Sequence, residues 1–167
     1  FFGCRSGELR LSQKEHFDFE SKIWTIPPDN HKMGEKTGKP LLRPIIDGIV
    51  PTLERVLVLS ENVKFAFTKA NSSDLMRENS QIDAPYQLRK WIKKNEGVDM
   101  EHWSTHDLRR TMRTNMSKIT SPHIAEIMLG HSLPKMWQVY DHHDYLDEQT
   151  LAYTAWLDKL QDITGGF

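Results

Sequence analysis

From Phe17 to Ile46 the apolar positions come in short runs. Phe17-Asp18-Phe19 alternates, Lys22 to Ile26 is β-branched and aromatic, and Leu41 to Ile46 follows a turn-rich span. Pro27, Pro28, Gly34 and Gly38 punctuate these runs, which predicts a small antiparallel sheet whose last hairpin carries an extended basic loop. Beyond Ile46 the spacing becomes helical. Asp47 to Glu61 is one such segment, with Pro51 tolerable only in its first turn, and Ala84 to Glu96 is another, closed by a turn at Gly97. From His106 to Ile119 the periodicity is clearest: Leu108, Met112, Met116 and Ile119 form an apolar stripe, with His106, Arg109, Arg110 and Arg113 on roughly the opposite side. Ser121 followed by Pro122 starts a further helix and Gly130 stops it, leaving His131 just past its end. Asp144 can cap a last helix on which Leu146, Tyr153, Leu157 and Leu160 share a face before Gly165 and Gly166. The expected class is α+β, mainly α, with a small antiparallel sheet.

Composition narrows the range of roles. A chain of 167 residues fits one domain, and no apolar run approaches the ~20 residues a membrane helix needs. The single cysteine, Cys4, cannot form an internal disulfide, which suits a reducing cytoplasm. The start at Phe1, directly before a predicted helix end, reads as a domain truncated at its N-terminus. A net charge of -1 argues against coating nucleic acid by bulk electrostatics. The basic residues are nevertheless clustered: Lys32, Lys36, Lys39 and Arg43 in one stretch, Arg89, Lys90, Lys93, Lys94, Arg109, Arg110, Arg113 and Lys118 in another, with an acidic segment after Tyr140.

Phosphodiester transfer without a metal requires cationic donors for the phosphorane, a nucleophile, and an acid for the departing oxygen. Arginine suits the first task, because its planar fork binds two oxygens and stays charged. Arg109 with His106 three residues earlier offers two donors on one helical face, although a solvated basic stripe has the same pattern. His142-His143-Asp144 suggests a metal, but adjacent residues diverge and a lone cysteine gives no zinc framework, so no metal is expected.

Taken together, the motifs resemble the tyrosine recombinase, or phage integrase, family over almost the whole chain, with features of a phage-type subgroup. Gly3-Cys4-Arg5-Ser6-Gly7-Glu8-Leu9 is similar to the first arginine box, His106-Asp107-Leu108-Arg109-Arg110-Thr111 to the second, and Leu129-Gly130-His131 to the box preceding the nucleophile, with Tyr140 at the family's spacing. The basic hairpin lies where the family has its catalytic lysine.

The resemblance implies that Arg5 and Arg109 bind the non-bridging oxygens and that His106 and His131 hydrogen-bond the phosphate, His106 also helping with the nucleophile's proton. It implies that Glu8 holds an arginine, that Lys32 is the general acid, and that Tyr140 attacks to form a 3'-phosphotyrosyl intermediate, so that neither cofactor nor metal is required. Lys36 and Lys39 share the loop with Lys32 and compete for its role; Trp24-Thr25-Ile26-Pro27 leading into Lys32 favours the latter. Tyr145 is the second candidate nucleophile, Tyr153 reads as core, and His142 can assist beside Tyr140. Lys36, Lys39, Arg110 and Arg113 are candidate DNA contacts; Arg113 departs from the small residue usual in the family and can alternatively pair with an acid such as Asp107. The implied function is a site-specific recombinase that integrates or excises a mobile element, acting on double-stranded attachment sites as a DNA-bound tetramer, with directionality and bending factors, in the bacterial cytoplasm. A catalytically silent DNA-binding module and a type IB topoisomerase-like enzyme are the alternatives. The helix from Leu146 to Leu160 either packs on a neighbouring protomer or folds back on its own domain.

Overall fold

Trp24 organises the sheet. In the computed structural model, which describes residues 1–60, 63–68, 75–78, 80–133 and 143–165, strands β1 (Phe17–Asp18), β2 (Ile23–Ile26) and β3 (Leu41–Pro44) pair antiparallel in that order. Phe17 and Arg43 oppose Trp24 in the two ladders. The Phe17 ring stacks on the indole at 5.2 Å and the Arg43 guanidinium lies 5.0 Å from it, a cation–π contact within the buried layer. The β1–β2 turn is set by Asp18, whose carboxylate accepts the backbone N–H groups of Glu20 and Ser21 at 2.9 and 3.0 Å.

Helices surround this sheet: α1 (Ser6–Arg10), α2 (Gly34–Thr37), α3 (Val50–Leu59), α4 (Ser80–Glu96), α5 (Thr105–Ile119), α6 (Pro122–Met128) and α7 (Leu146–Thr164). The expected class, α+β and mainly α, is therefore observed. Two boundaries differ from expectation. The Asp47 segment opens with a 3-10 turn, Asp47–Ile49, so Pro51 falls in the first turn of α3. Helix α4 starts at Ser80 and runs through Pro85, which is buried.

The faces of α5 are corrected. Leu108, expected on the packed stripe, is 59% exposed, whereas Arg109, expected on the polar side, is 6% exposed and lies inward with Met112 and Met116. The spacing of 109, 112 and 116 is itself a helical stripe, and a buried arginine is admissible here because backbone carbonyls receive its N–H groups. Burying Met112 and Met116 contributes about 1.5–3 kcal/mol each.

Helix α7 folds back on its own domain. Asp144 accepts the Leu146 N–H at 3.1 Å at its start, and Ala152, Tyr153, Trp156 and Leu157 are buried. Trp156 Nε1 donates to the Phe1 carbonyl at 3.1 Å and the Tyr153 ring meets Phe2 edge-on, so the last helix holds the segment that leads into Arg5. Among the described residues no helix is long and apolar enough to cross a membrane.

Candidate active site

Glu8 is the first anchor of the site. It is the third residue of α1, where its Oε2 accepts the N–H of Arg5, the residue that caps that helix, at 3.1 Å. Its other oxygen accepts from Arg5 Nη1 at 3.1 Å, and Arg43 Nη2 donates to Oε2 at 2.7 Å. Glu8 and Arg43 are both almost completely buried. Burial alone pushes the Glu8 carboxyl up; the Arg43 charge and the hydrogen bonds from Arg43 and Arg5 outweigh it, and the net shift is downward. Arg43 Nε also donates to the Met128 carbonyl at 3.2 Å, tying β3 to the end of α6.

The second anchor is the turn that ends α6. Gly130 has φ +67, and the His131 N–H returns to the Glu126 carbonyl at 2.9 Å while the Gly130 N–H reaches that of Ile127 at 2.8 Å, a Schellman closure. The left-handed φ favours glycine, and a Cβ on Gly130 would also stand 2.7 Å from Leu41 Cδ2 and push that side chain aside. Arg109 reaches this turn from α5, donating through Nη2 to the Leu129 carbonyl at 2.8 Å and through Nη1 to the Gly3 carbonyl at 2.6 Å. The same Nη2 lies 2.9 Å from His131 Nε2. A guanidinium only donates, so Nε2 is the acceptor and the imidazole proton sits on Nδ1, where Glu126 Oε2 receives it. Arg5 Nη1 approaches the Gly130 carbonyl at 3.4 Å.

Three segments far apart in sequence thus bring Arg5, Arg109 and His131 to one turn. Burial, followed by the Arg5 charge, lowers the Arg109 pKa, as expected for two neighbouring cations. Among the described residues Glu8 is the sole carboxylate in ion-pair contact with Arg5 or Arg43, and Arg109 meets none. The locus carries excess positive charge and directed N–H groups, which suits an oxyanion such as a phosphodiester.

The remaining predicted residues sit around this locus. His106 is exposed in the first turn of α5, whose start Asp107 fixes by accepting the Ser104 N–H at 2.9 Å and its hydroxyl at 2.7 Å. The Ser104 hydroxyl and N–H, with Arg110, hold the Asp107 carboxyl down at about 2. Lys32, Lys36 and Lys39 are all exposed on the β2–β3 loop. Tyr153 is fully buried, with its hydroxyl pushed up by that burial. Tyr145 is half-buried at φ 56, its ring 4.5 Å from that of His143. Tyr140 and His142 lie outside the described residues.

The family model for the phage integrase family matches residues 2–147. The chain belongs to that family. It is 29% identical over 157 residues to a putative tyrosine recombinase XerC of Pseudomonas aeruginosa, covering 87% of this chain and 34% of the relative, so it spans about a third of that protein's length. The fold matches the crystal structure of XerA recombinase with a TM-score of 0.60 at 18% identity, over 96% of this chain and 54% of the other.

In this member of the phage integrase family, two residues of the site were not anticipated. Arg43, grouped with Lys32, Lys36 and Lys39 in one basic stretch, is fully buried and belongs to the interior pair with Glu8. Its signal is parity: Arg43 shares a strand phase with Ile45, which is buried, and faces Trp24 across the ladder. Glu126 is the other, and no sequence feature distinguishes it. Arg113 pairs with Glu126 at 2.8 Å and not with Asp107, which is taken by Arg110 at 2.9 Å.

Proposed function

We propose that the chain is the catalytic domain of a site-specific DNA recombinase that cleaves and rejoins strands through a 3'-phosphotyrosyl intermediate. The observation that carries this reading is the meeting of Arg5, Arg109 and His131 at the Gly130 turn, where among the described residues Arg109 pairs with no carboxylate and Arg5 shares Glu8 with Arg43. Arg5 and Arg109 bind the non-bridging oxygens of the scissile phosphate and His106 donates to it as charge accumulates; His131 joins them through Nε2 in its doubly protonated form, its Nδ1–H staying on Glu126. Tyr140 forms the bond to phosphorus, its proton passing toward His106, while the bond to the 5'-oxygen breaks and Lys32 protonates the leaving alkoxide. A second 5'-hydroxyl reverses these steps and releases the tyrosine. Bond energy is conserved in the adduct, so neither a metal nor ATP is called for.

Lys36, Lys39 and Arg110, all exposed, supply contacts to the phosphate backbone. Arg113 acts through Glu126. The substrate is a pair of duplex attachment sites at the ends of a mobile element, held by a tetramer with directionality and bending factors. The strand Trp24-Thr25-Ile26-Pro27, similar to that of a phage-type subgroup, runs into Lys32 and supports its choice among the loop lysines.

The test incubates the protein with nicked duplexes tiled across the DNA flanking its gene, so that the cleaved fragment diffuses away and the adduct accumulates on a denaturing gel. A DNA-linked band that Tyr140→Phe abolishes and Tyr145→Phe retains is the expected result. Salt-sensitive DNA binding with no covalent band would instead assign a binding module.

A further inference from the structure

The loop between β2 and β3 is polar and carries three exposed lysines, yet it is tightly built around the first of them. Asn30 Nδ2 donates to the Leu11 carbonyl at 3.2 Å, just past the helix that carries Glu8. The His31 side chain is buried. Its Nδ1 accepts the Gly34 N–H at 3.1 Å, and its Nε2 lies 3.1 Å from the Lys39 carbonyl. A carbonyl only accepts, so Nε2 carries the proton and the ring is the neutral Nε2–H tautomer. The closure leaves no room for a side chain at residue 34, where a Cβ would stand 2.1 Å from the Pro28 carbonyl oxygen.

Lys32 therefore projects from between two fixed neighbours. On one side His31 ties the middle of the loop to its far end. On the other, Met33 Sδ receives the hydroxyl of Ser132, the residue after His131, at 2.8 Å. His31 and His131 also line one cavity of about 330 Å3. A long flexible lysine loses rotamer freedom when it must deliver a proton to one atom, so a fixed backbone beneath it limits what remains to be ordered.

We propose that His31 is a positioning residue for Lys32: by bridging Gly34 and Lys39 it fixes the backbone from which the lysine reaches the leaving 5'-oxygen. This rests on the reading of Lys32 as the general acid. His31 touches no reacting atom, and its effect on the chemistry passes through the lysine.

A substrate with sulfur in place of the bridging 5'-oxygen separates positioning from general structural damage, because a thiolate is a much weaker base than an alkoxide and departs without a proton. Cleavage of oxygen and 5'-thio duplexes is compared for the wild type, Lys32→Ala, His31→Phe and His31→Gln, with a thermal melt of each. Lys32→Ala and His31→Phe are expected to slow oxygen cleavage about 10-fold or more and to approach the wild-type rate on sulfur. His31→Gln keeps an amide N–H for Lys39 and loses less, which covers the case of poor folding by the phenylalanine variant. His31 variants that are slow on both substrates alike, or slow on neither, overturn the positioning role alone. A reactive wild type whose Lys32→Ala variant is not restored by sulfur overturns the acid assignment beneath it. A wild type inert on both substrates overturns the recombinase reading itself.

Discussion

Arg109 donates to His131 Nε2 at 2.9 Å, and that single contact decides the orientation of the whole histidine. With Nε2 accepting, Nδ1 must carry the proton, and Glu126 is the group that receives it. Glu126 is also held by Arg113 Nε at 2.8 Å. The hydrogen bonds of His131 and Arg113 outweigh the effect of burial on this carboxyl, and its pKa is lowered. Glu126 thus holds the imidazole from the side opposite Arg109, and in the proposed reaction this contact keeps His131 in place beside the phosphate.

Glu126→Ala is accordingly expected to reduce strand cleavage by about 100-fold, the low end of what a misplaced proton-donating group costs. The half-exposed Arg113–Glu126 pair contributes only ~0–1 kcal/mol to stability, so the melting curve should move little. A loss of folding in step with activity, followed by circular dichroism beside the cleavage gel, would reduce Glu126 to a structural residue.

Glu8 predicts the opposite balance. It is buried against Arg43, and removing one member of such a pair leaves an uncompensated charge in the interior, at a cost of about 3–5 kcal/mol. Glu8→Gln should therefore lower the urea midpoint strongly. Its pH dependence has a definite sign. The folded carboxyl titrates below its unfolded value, so the stabilisation is present above about pH 4 and is lost as pH falls through the depressed folded value. The stability gap between wild type and Glu8→Gln should narrow as the solution is acidified below that point; a gap independent of pH would remove the charge from the explanation.

Gly130→Ala tests the turn itself. The left-handed conformation costs an alanine about 1–2 kcal/mol, and the new Cβ must also displace Leu41, 2.7 Å away. Because this turn offers carbonyls to Arg5 and Arg109, cleavage should fall by more than the stability change explains. An activity that follows the folded fraction alone, measured by titrating urea below the midpoint, would contradict that.

The family's boxes are legible in the sequence because they set particular residue types at fixed spacing, and the helix ends because caps and stops are local. Ser121-Pro122, Gly130 and Asp144 mark helix ends by rules that need no tertiary context. What was not legible is which charges turn inward. Arg109 occupies the inward phase of α5, but a pattern reading assigns arginine to water. Only the carbonyls of Gly3 and Leu129, distant in sequence, make the inward position admissible. Arg43 was hidden in the same way, since its partner Glu8 lies on another element.

His31 gives a last prediction, in the neutral pH range. Burial lowers its pKa, against the opposing effect of the Lys39 carbonyl. The charged groups acting on it are Glu8 and Arg5 from the first segment and Arg43 from β3, while His131, His143, Asp144 and Tyr145 line the cavity it faces. Protonation would put a second N–H where Nδ1 now accepts that of Gly34, so the folded state favours the neutral ring. A histidine depressed in the folded state contributes stability above about pH 6.5, and that contribution is lost as pH falls below this value through the folded one. His16 is also lowered by burial, so the wild-type curve alone cannot separate the two. The difference between wild type and His31→Phe can, since His16 is common to both. That difference should shrink as pH is lowered from about 7 through the histidine range, measured by urea unfolding at each pH. If it stays constant, the ring's hydrogen bonds do not depend on the neutral tautomer, and the loop around Lys32 is held by packing at Gly34 and Pro28.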